Sequence, residues 1–280
     1  MKITILKRVT FILILGLLFF QCKHELPNTL LIKNAILIDG TGSDRIVTSV
    51  RIEGNTIIKI GDLKPLKTDS IIDAEGLVLS PGFIDTHSHH DWDSLRTKES
   101  AISQGITTII IGQDGTSQFP IKKFMDLIDN APWSINVGSY SGHGRLRYEV
   151  MGDDFKREAT QVEIGRMKLL LETEMNNGSL GLSTGLEYDP GIYSSTTEII
   201  QLAKITSKHG GRYISHMRSE DINLVKSIDE IIQIGHDAKI PVQISHFKLA
   251  KKGLWGKASE ILKKLDSARA KAVSYTHLRA

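Results

Sequence analysis

The alternation of short apolar strands with longer helical segments from Leu77 onward constrains the fold more than any other feature of this sequence. Six predicted strands are each followed by a predicted helix, and the strands read "LVLSPGFID", "ITTIIIG", "SINVGSY", "SLGLSTG", "RYISH" and "IPVQISH". Successive βα units favour a parallel sheet. The length of each unit is typical of a (β/α)8 TIM-type barrel, in which active sites lie at the C-terminal ends of the strands. We therefore predict an α/β fold with an incomplete barrel of six βα units over residues 77–272.

The clearest helix signal is the segment "ATQVEIGRMKLLLETEMNNG". Thr160 and Glu163 have the spacing of a capping box, in which each side chain satisfies a free backbone amide of the first turn. Gly178 is the residue type that commonly ends a helix. We expect Met167, Leu169 and Leu170 to lie on the apolar face of this helix.

Residues 23–76 precede the barrel and follow a different pattern. Short β-branched runs such as "TLLIKNAILIDG" and "SVRIEGNTIIKIG" are separated by Asp-Gly, Glu-Gly-Asn and Pro-containing turns, which is typical of strands joined by tight connections. No cluster of candidate ligands occurs in this part of the sequence. We predict a small N-terminal β domain with a structural role.

The first 22 residues have the pattern of a secretory signal peptide. A basic start is followed by the apolar run from Phe11 to Phe20, which is shorter than the about 20 residues that a membrane span needs. Cys22 comes directly afterwards and resembles the processing site of bacterial lipoproteins. We predict lipidation at Cys22 and export to the periplasm or the outer face of a bacterial membrane. An uncleaved anchor and an ordinary signal peptide are the alternatives.

Composition excludes several other functions. The 35 basic residues nearly balance the 32 acidic ones, and neither a basic stripe nor an aromatic ladder is present, so nucleic acid is not an expected partner. Cys22 is the only cysteine, which rules out a disulfide within the chain. Contact with a membrane is expected only through the N-terminal segment.

Polar side chains accumulate where the predicted strands end. They are His87 and His89 after the first strand, Asp114 after the second, His143 after the third, His216 at the end of the fifth and His246 at the end of the sixth. The C-terminal ends of parallel barrel strands meet on one rim, so these side chains are expected to converge. Neutral imidazole and carboxylate are ligands for Zn²⁺ and related divalent ions. The pattern therefore predicts a metal site.

The other histidines are interpreted differently. His90 has the opposite strand parity to His89, so we expect it to support the site or to lie on the surface. His209 and His236 fall near predicted helix ends, and His277 lies in the tail. These three are interpreted as structural.

Five segments together carry a resemblance to a known family. They are "GFIDTHSHHD", "GHGRLRYEVMG", "GSLGLSTGLEYDPG", "GGRYISHMRSE" and "VQISHFK". The chain resembles the N-acyl-D-amino-acid deacylases of the amidohydrolase superfamily from about Leu30 to Ala272. The resemblance implies a zinc-dependent hydrolase that cleaves the acyl amide bond of N-acyl-D-amino acids.

The same resemblance implies roles for individual residues. His87 and His89 match the pair that binds the more weakly held metal, and His216 and His246 match the tighter site. Asp114 stands where some members have a metal-bridging cysteine, so the resemblance implies one or two divalent ions. The segment "LSTGLEY" offers no lysine to bridge instead.

The implied substrate contacts are four further residues. Lys248 matches a position that contacts the substrate carboxylate, Tyr188 lies in the substrate-lining loop, and His143 and Arg145 are expected to shape the pocket. The implied general base is an aspartate after an eighth strand. We identify no seventh or eighth strand in the sequence.

The end of the chain departs from the family pattern. Val273 to Ala280 does not continue the preceding helix in the expected way, and we interpret it as a non-native tail on a fragment of a longer enzyme. Such a fragment is expected to be inactive alone. A cyclic-amidase or dihydroorotase-like hydrolase and a non-catalytic surface lipoprotein remain as alternatives.

Overall fold

The computed structural model describes residues 29–90, 97–270 and 274–279, with the side chains of 275–279 left aside. The predicted signal peptide and Cys22 lie outside the described residues. The chain divides into two compact units, with the boundary between Pro81 and Gly82. Over the described ranges, helices of the length and apolarity needed to cross a membrane are absent.

The first unit contains a five-stranded sheet. Its strands are β1 (Thr29–Leu37), β2 (Ile46–Glu53), β3 (Thr56–Gly61), β4 (Asp69–Asp73) and β5 (Val78–Leu79). β2 pairs with β1 and β3 in antiparallel fashion, whereas β4 and β5 lie parallel to β1. Gly54 has a positive φ of 57° in the two-residue β2–β3 connection, a backbone conformation that glycine adopts without steric cost.

The second unit is built from parallel strands that follow one another in chain order. They are β6 (Phe83–Asp85), β7 (Ile106–Ile111), β8 (Asn136–Ser139), β9 (Ser141–Gly142), β10 (Gly181–Gly185), β11 (Arg212–His216), β12 (Val242–Phe247) and β13 (Tyr275–Arg279). β6 to β8 form one sheet and β9 to β13 another, and the two meet at Tyr140. Gly185 pairs with His216, so β10 and β11 end at the same level.

Helices connect these strands. They are α1 (Glu99–Ile102), α2 (Ile121–Asn130), α3 (His143–Met151), α4 (Gln161–Asn176), α5 (Thr196–Lys208), α6 (Leu224–Ala238) and α7 (Ala258–Ala270). The core of this unit includes Met167 and Leu171 of α4, Leu202 of α5, and Leu182 and Tyr213 of the sheet. Burial of these apolar faces against the sheet is the main stabilising contribution of the helices.

Helix α4 confirms the predicted capping box. The Thr160 hydroxyl accepts a hydrogen bond from the Glu163 amide at 3.3 Å, and the Glu163 carboxylate accepts one from the Thr160 amide at 2.8 Å. The position predicted for Leu169 is wrong, because its side chain is 66% exposed. Met167 and Leu171 are buried, and a residue midway between them points to the opposite side of the helix.

Two features of the sheet differ from the sequence prediction. The segment "LVLSPGFID" is broken at residues 80–82 into β5 and β6, rather than forming one strand. β6 is also not buried as predicted, since Phe83 is 60% and Ile84 61% exposed. β6 pairs with β7 alone among the described strands, so it is an edge strand with a neighbouring strand on one side only.

The prediction that a seventh strand is absent is wrong. β13 (Tyr275–Arg279) lies parallel to β12, with Val242 opposite Tyr275. The outer edge of β12 presents unpaired backbone donors and acceptors, which a β-favouring segment such as "SYTHLR" can satisfy. Strand formation does not test the foreign origin of Val273–Ala280, which stays a prediction.

Candidate metal centre

The structure brings the four predicted histidine ligands and the predicted carboxylate together at the C-terminal ends of the strands. His87 and His89 follow β6, and Asp114 follows β7. His216 is the last residue of β11, and His246 is the next-to-last residue of β12. The His87 and His246 rings, from distant parts of the chain, have centroids 5.5 Å apart.

The first part of the cluster joins β6 to β7. Nε2 of His87 lies 3.2 Å from Nε2 of His89, and Oδ2 of Asp114 lies 3.5 Å and 3.3 Å from these two nitrogens. The amide of Ser88 donates to the carbonyl oxygen of Ile110 at 2.9 Å, which keeps the histidine segment alongside β7. Both imidazoles therefore face the same carboxylate.

The second part of the cluster joins β11 to β12. Nδ1 of His216 lies 2.8 Å from Nε2 of His246 and 2.7 Å from the Tyr188 hydroxyl. His216 is buried, while Tyr188 is 44% exposed. Tyr188 thus stands at the exposed side of the histidine pair, and its place in a substrate-lining loop stays a prediction.

Two glutamates that the sequence analysis did not identify contact these histidines. Oε2 of Glu187 lies 2.8 Å from Nε2 of His216, and Oε1 of Glu220 lies 2.6 Å from Nδ1 of His246. Glu187 follows the end of β10, and Glu220 comes four residues after His216. Their positions just beyond strand ends are the only feature of the sequence that could have indicated a role in the site. Glutamates in solvent-facing loops have the same position, so this feature does not distinguish the two cases.

Lys248 contacts the second of these glutamates. Its ammonium group forms an ion pair with Oε2 of Glu220. Lys248, which we expect to bind a substrate carboxylate, therefore already has an anionic partner within the protein. A substrate carboxylate at this ammonium would share it with Glu220.

The donor set fits a divalent cation. Imidazole nitrogens and carboxylate oxygens from His87, Asp114 and His246 lie within 4.8 Å of one another, and so do those of His216, Glu220 and His246. Oδ1 of Asp114 and Nδ1 of His87 are buried without a hydrogen-bond partner among the described residues. Buried polar atoms without partners are uncommon in folded proteins, and a bound cation would satisfy the carboxylate oxygen.

Local electrostatics favour the ligand forms of Asp114 and His216. Burial alone would raise the pKa of Asp114, but the hydrogen bond and charge of His87, with smaller contributions from more distant histidines, lower it overall. Burial also lowers the pKa of His216. An ionised carboxylate and a neutral imidazole are the forms that bind metal.

The pKa values of His246 and Tyr188 are both raised. The hydrogen bond to Glu220 raises the pKa of His246. Burial, reinforced by the charges of Asp114, Glu220 and Glu187, raises the pKa of Tyr188 to about 12. The phenol therefore keeps its proton at neutral pH and can donate a hydrogen bond.

A tight turn presents Asp114 to the cluster. Asp114 has a φ of 53°, and Gly112 and Gly115 on either side have φ values of 74° and 80°. The backbone around Gly115 is closely surrounded, because a Cβ added to Gly142 would lie 2.4 Å from the Gly115 carbonyl oxygen. Glycines at these positions permit the close packing that holds the turn.

His143 does not join the cluster, which corrects its predicted position. Its fully buried ring lies on α3, a helix that the sequence analysis did not assign, and its Nε2 is 2.7 Å from Oε1 of Glu198. Arg147 donates to both oxygens of the same carboxylate at 2.8 Å and 2.7 Å. This buried network is structural, and none of its contacts among the described residues reaches a candidate ligand.

Arg145 lies near the Asp114 turn through its backbone, since its amide donates to the Gly115 carbonyl oxygen at 3.1 Å, but its side chain has other partners. Its guanidinium pairs with Glu149 one turn along α3 at 2.5 Å and stands over the Phe119 ring. Nδ1 of His90 lies 2.6 Å from the Ser88 hydroxyl, and its expected supporting or surface role stays a prediction. Within the described part of the chain, no hydrogen bond or ion pair joins the side chain of Arg145 or His90 to a side chain of the five candidate ligands.

Parallel strands with connecting helices and a histidine–carboxylate cluster at the strand ends define a metal-binding protein of the α/β class. The amidohydrolase family model matches residues 70–213. The chain belongs to the amidohydrolase family.

Individual relatives confirm the resemblance to the deacylases. A D-aminoacylase of Alcaligenes xylosoxydans xylosoxydans is 34% identical over 270 residues, which cover 88% of this chain and 56% of that protein. An N-acyl-D-aspartate deacylase of the same organism is 32% identical over 86% of this chain and 53% of the relative. The chain spans about half the length of the curated relatives that it matches.

Solved structures of the same group superpose on this chain. A D-aminoacylase crystal structure has a TM-score of 0.82 at 32% identity, over 89% of this chain and 58% of that one. An N-acyl-D-glutamate deacylase of Bordetella bronchiseptica, complexed with zinc and a phosphonate inhibitor, has a TM-score of 0.84 at 27% identity, over 89% and 57%. An L-hydantoinase of Arthrobacter aurescens at 12% identity and a TM-score of 0.60 shares the fold alone.

Proposed function

We propose that this chain provides the metal-binding part of a zinc-dependent hydrolase that cleaves N-acyl-D-amino acids to a carboxylic acid and a free D-amino acid. The observation that carries the proposal is the convergence of the histidines after β6, β11 and β12 with Asp114 after β7, at distances of 2.8 to 3.5 Å between neighbouring donor atoms. The deacylase relatives support the choice of substrate class.

The described residues supply defined parts of the chemistry. His87, His89, His216, His246 and Asp114 would hold one or two divalent ions. A bound Zn²⁺ lowers the pKa of water to about 7 and polarises an amide oxygen.

The remaining groups orient the substrate. The Tyr188 phenol, protonated at neutral pH and 2.7 Å from Nδ1 of His216, would donate to an oxygen of the substrate when a bound ion occupies that nitrogen. Lys248 keeps a positive charge at the same edge of the site, where it would attract the carboxylate of the amino-acid product. The general base expected after an eighth strand is not assigned to any described residue.

The test is hydrolysis by the full-length gene product. We expect N-acetyl-D-amino acids to be cleaved and N-acetyl-L-amino acids and hydantoins to remain intact. Activity should disappear after chelation and return with Zn²⁺. Cleavage of hydantoins in preference to the D-amino-acid derivatives, or activity that survives complete metal removal, would contradict the proposal.

We further propose that residues 1–22 direct export and that Cys22 carries a lipid in the mature protein. The basic start, the short apolar run and the cysteine directly after it support this. Incorporation of labelled palmitate in the bacterial host, lost in the variant Cys22→Ser, is the expected result. Equal labelling of both proteins would contradict lipidation at this residue.

A further inference from the structure

We propose that Glu187 and Glu220 are positioning residues that select the tautomers of His216 and His246, so that both rings present a lone pair to the same ion. This inference rests on the proposed metal site. Glu187 and Glu220 are not among the five proposed ligands, although Glu220 lies close enough to His216 and His246 to belong to their group of potential donors. A metal-binding histidine commonly donates its other ring N–H to a carboxylate or carbonyl group, which determines the tautomer and orients the ring.

Glu187 determines the state of His216. Its Oε2 lies 2.8 Å from Nε2 of His216, and a carboxylate can only accept a hydrogen bond, so Nε2 carries the proton. Nδ1, the nitrogen that faces His246, is then left with its lone pair. The backbone next to Glu187 is tied to the end of β11, because the amide of Leu186 donates to the carbonyl oxygen of His216 at 3.0 Å.

Glu220 selects the tautomer of His246, and here the proton lies on Nδ1 rather than on Nε2. Its Oε1 lies 2.6 Å from Nδ1 of His246, so this nitrogen carries the proton and Nε2 has the lone pair. Its Oε2 is paired with the ammonium group of Lys248. With both oxygens engaged and the side chain buried, Glu220 is arranged to orient the imidazole.

The two assignments together produce a cation site. The lone pairs on Nδ1 of His216 and Nε2 of His246 face each other at 2.8 Å, an arrangement that is repulsive unless a positive charge lies beside both. The Tyr188 hydroxyl, 2.7 Å from the same Nδ1, can relieve part of this repulsion by donating its proton. The carboxylates therefore prepare both rings for metal before the ion arrives.

The direct test is long-range ¹H–¹⁵N NMR of the histidine rings in the full chain, free of metal and with Zn²⁺. We expect His216 to be protonated at Nε2 and His246 at Nδ1 in both states. The opposite tautomer at either ring in the metal-free protein would overturn the inference. This measurement uses the wild-type protein and is independent of any effect of a substitution on folding.

The second test is Zn²⁺ affinity by chelator competition. Glu187→Ala is expected to weaken binding about 10- to 100-fold, the usual effect of removing such a partner. Glu187→Gln keeps an acceptor oxygen and should lose less. Asp189→Ala is the matched control, since it removes a carboxylate two residues away that pairs with Lys156 at 3.7 Å.

The outcomes separate this inference from the proposed function. If the wild-type chain binds no Zn²⁺, the proposed metal site is wrong. If it binds Zn²⁺ and Glu187→Ala weakens binding no more than Asp189→Ala does, the site stands and the positioning role is wrong. Glu187 is 40% exposed on its side chain, so its removal is not expected to unfold the protein.

Discussion

The Ser183 hydroxyl on β10 donates a hydrogen bond of 2.6 Å to the carbonyl oxygen of Gly112, at the start of the turn that carries Asp114. The same hydroxyl accepts from the amide of Gly115 at 3.3 Å. One buried side chain therefore bridges both ends of this turn. The position of a candidate ligand after β7 thus depends on a residue of β10 that is distant in sequence.

Ser183→Ala is expected to lower the free energy of unfolding by about 1–3 kcal/mol, because it leaves a buried amide and a buried carbonyl without their partner. It should also weaken Zn²⁺ binding, since the Asp114 turn is less well held. Chemical denaturation and chelator competition measure the two effects. Ser103→Ala, at an exposed serine, is the control and should change neither quantity.

Gly142→Ala tests the packing around the same turn. The new Cβ would lie 2.4 Å from the Gly115 carbonyl oxygen, so the backbone must move, and we expect a loss of stability of about 1–3 kcal/mol. Gly165→Ala is the opposite case, because it lies within α4 and its Cβ would meet no described atom within 4 Å. That variant should gain about 0.5–1 kcal/mol. If thermal melts gave the same change in stability for both variants, Gly142 would not be as closely packed against the turn as the structure indicates.

Arg147 and Arg145 lie on the same helix, but we expect their substitutions to lower the free energy of unfolding by different amounts. Arg147→Met leaves buried Glu198 with His143 as its remaining side-chain partner, and loss of a partner from a buried ion pair costs about 3–5 kcal/mol. Arg145→Met removes an exposed pair with Glu149, for which about 0–1 kcal/mol is expected. Urea denaturation of both variants measures the difference. Similar losses would mean that the buried network is not structural.

The lowered pKa of Glu163 makes the free energy of unfolding depend on pH. Hydrogen bonds from the Arg157 side chain and the Thr160 backbone lower its pKa from 4.5 to about 2 in the folded chain. A folded-state pKa below the unfolded value means that the carboxylate stabilises the protein above about pH 4.5, and that this contribution disappears as the pH falls toward 2. The Tm difference between wild type and Glu163→Gln should therefore be largest near neutral pH. A difference that grows on acidification would contradict this linkage.

Metal binding should appear as thermal stabilisation. Zn²⁺ at 100 times its Kd is expected to add about 2.7 kcal/mol to the free energy of unfolding, and a chelator should reverse the effect. His216→Gln should abolish this increase. His90→Gln is the control, because His90 contacts Ser88 and Ser100 rather than the cluster, and its Zn²⁺ response should remain. Loss of the response in both variants would argue against the assigned ligands.

Much of this protein follows from local sequence pattern. The capping box at Thr160 and Glu163 is a contact between residues three apart, so it is visible without a fold. The alternation of strands and helices from Leu77 indicates parallel strands, and the strand ends then meet on one rim. For that reason the sequence alone indicated the candidate ligands, including His216 and His246 from different strands, although it also included His143.

The failed predictions share a different cause, because they depend on what packs against a residue. His143 follows a strand as the ligands do, yet it starts an unassigned helix and turns toward Glu198, 55 positions later. Leu169 is apolar, but its side of α4 faces solvent. A strand at 275–279 depends on the free edge of β12.

The orientation of the metal-binding rings was likewise decided only by the tertiary structure. Glu187, from the segment after β10, contacts Nε2 of His216, 29 residues away in the chain. Glu220, from the segment after β11, contacts Nδ1 of His246, 26 residues away. The sequence determined which imidazoles could bind an ion, because residue type and strand position are local properties. Which nitrogen each ring presents is set by hydrogen bonds between distant segments, and these exist only after the strands have come together.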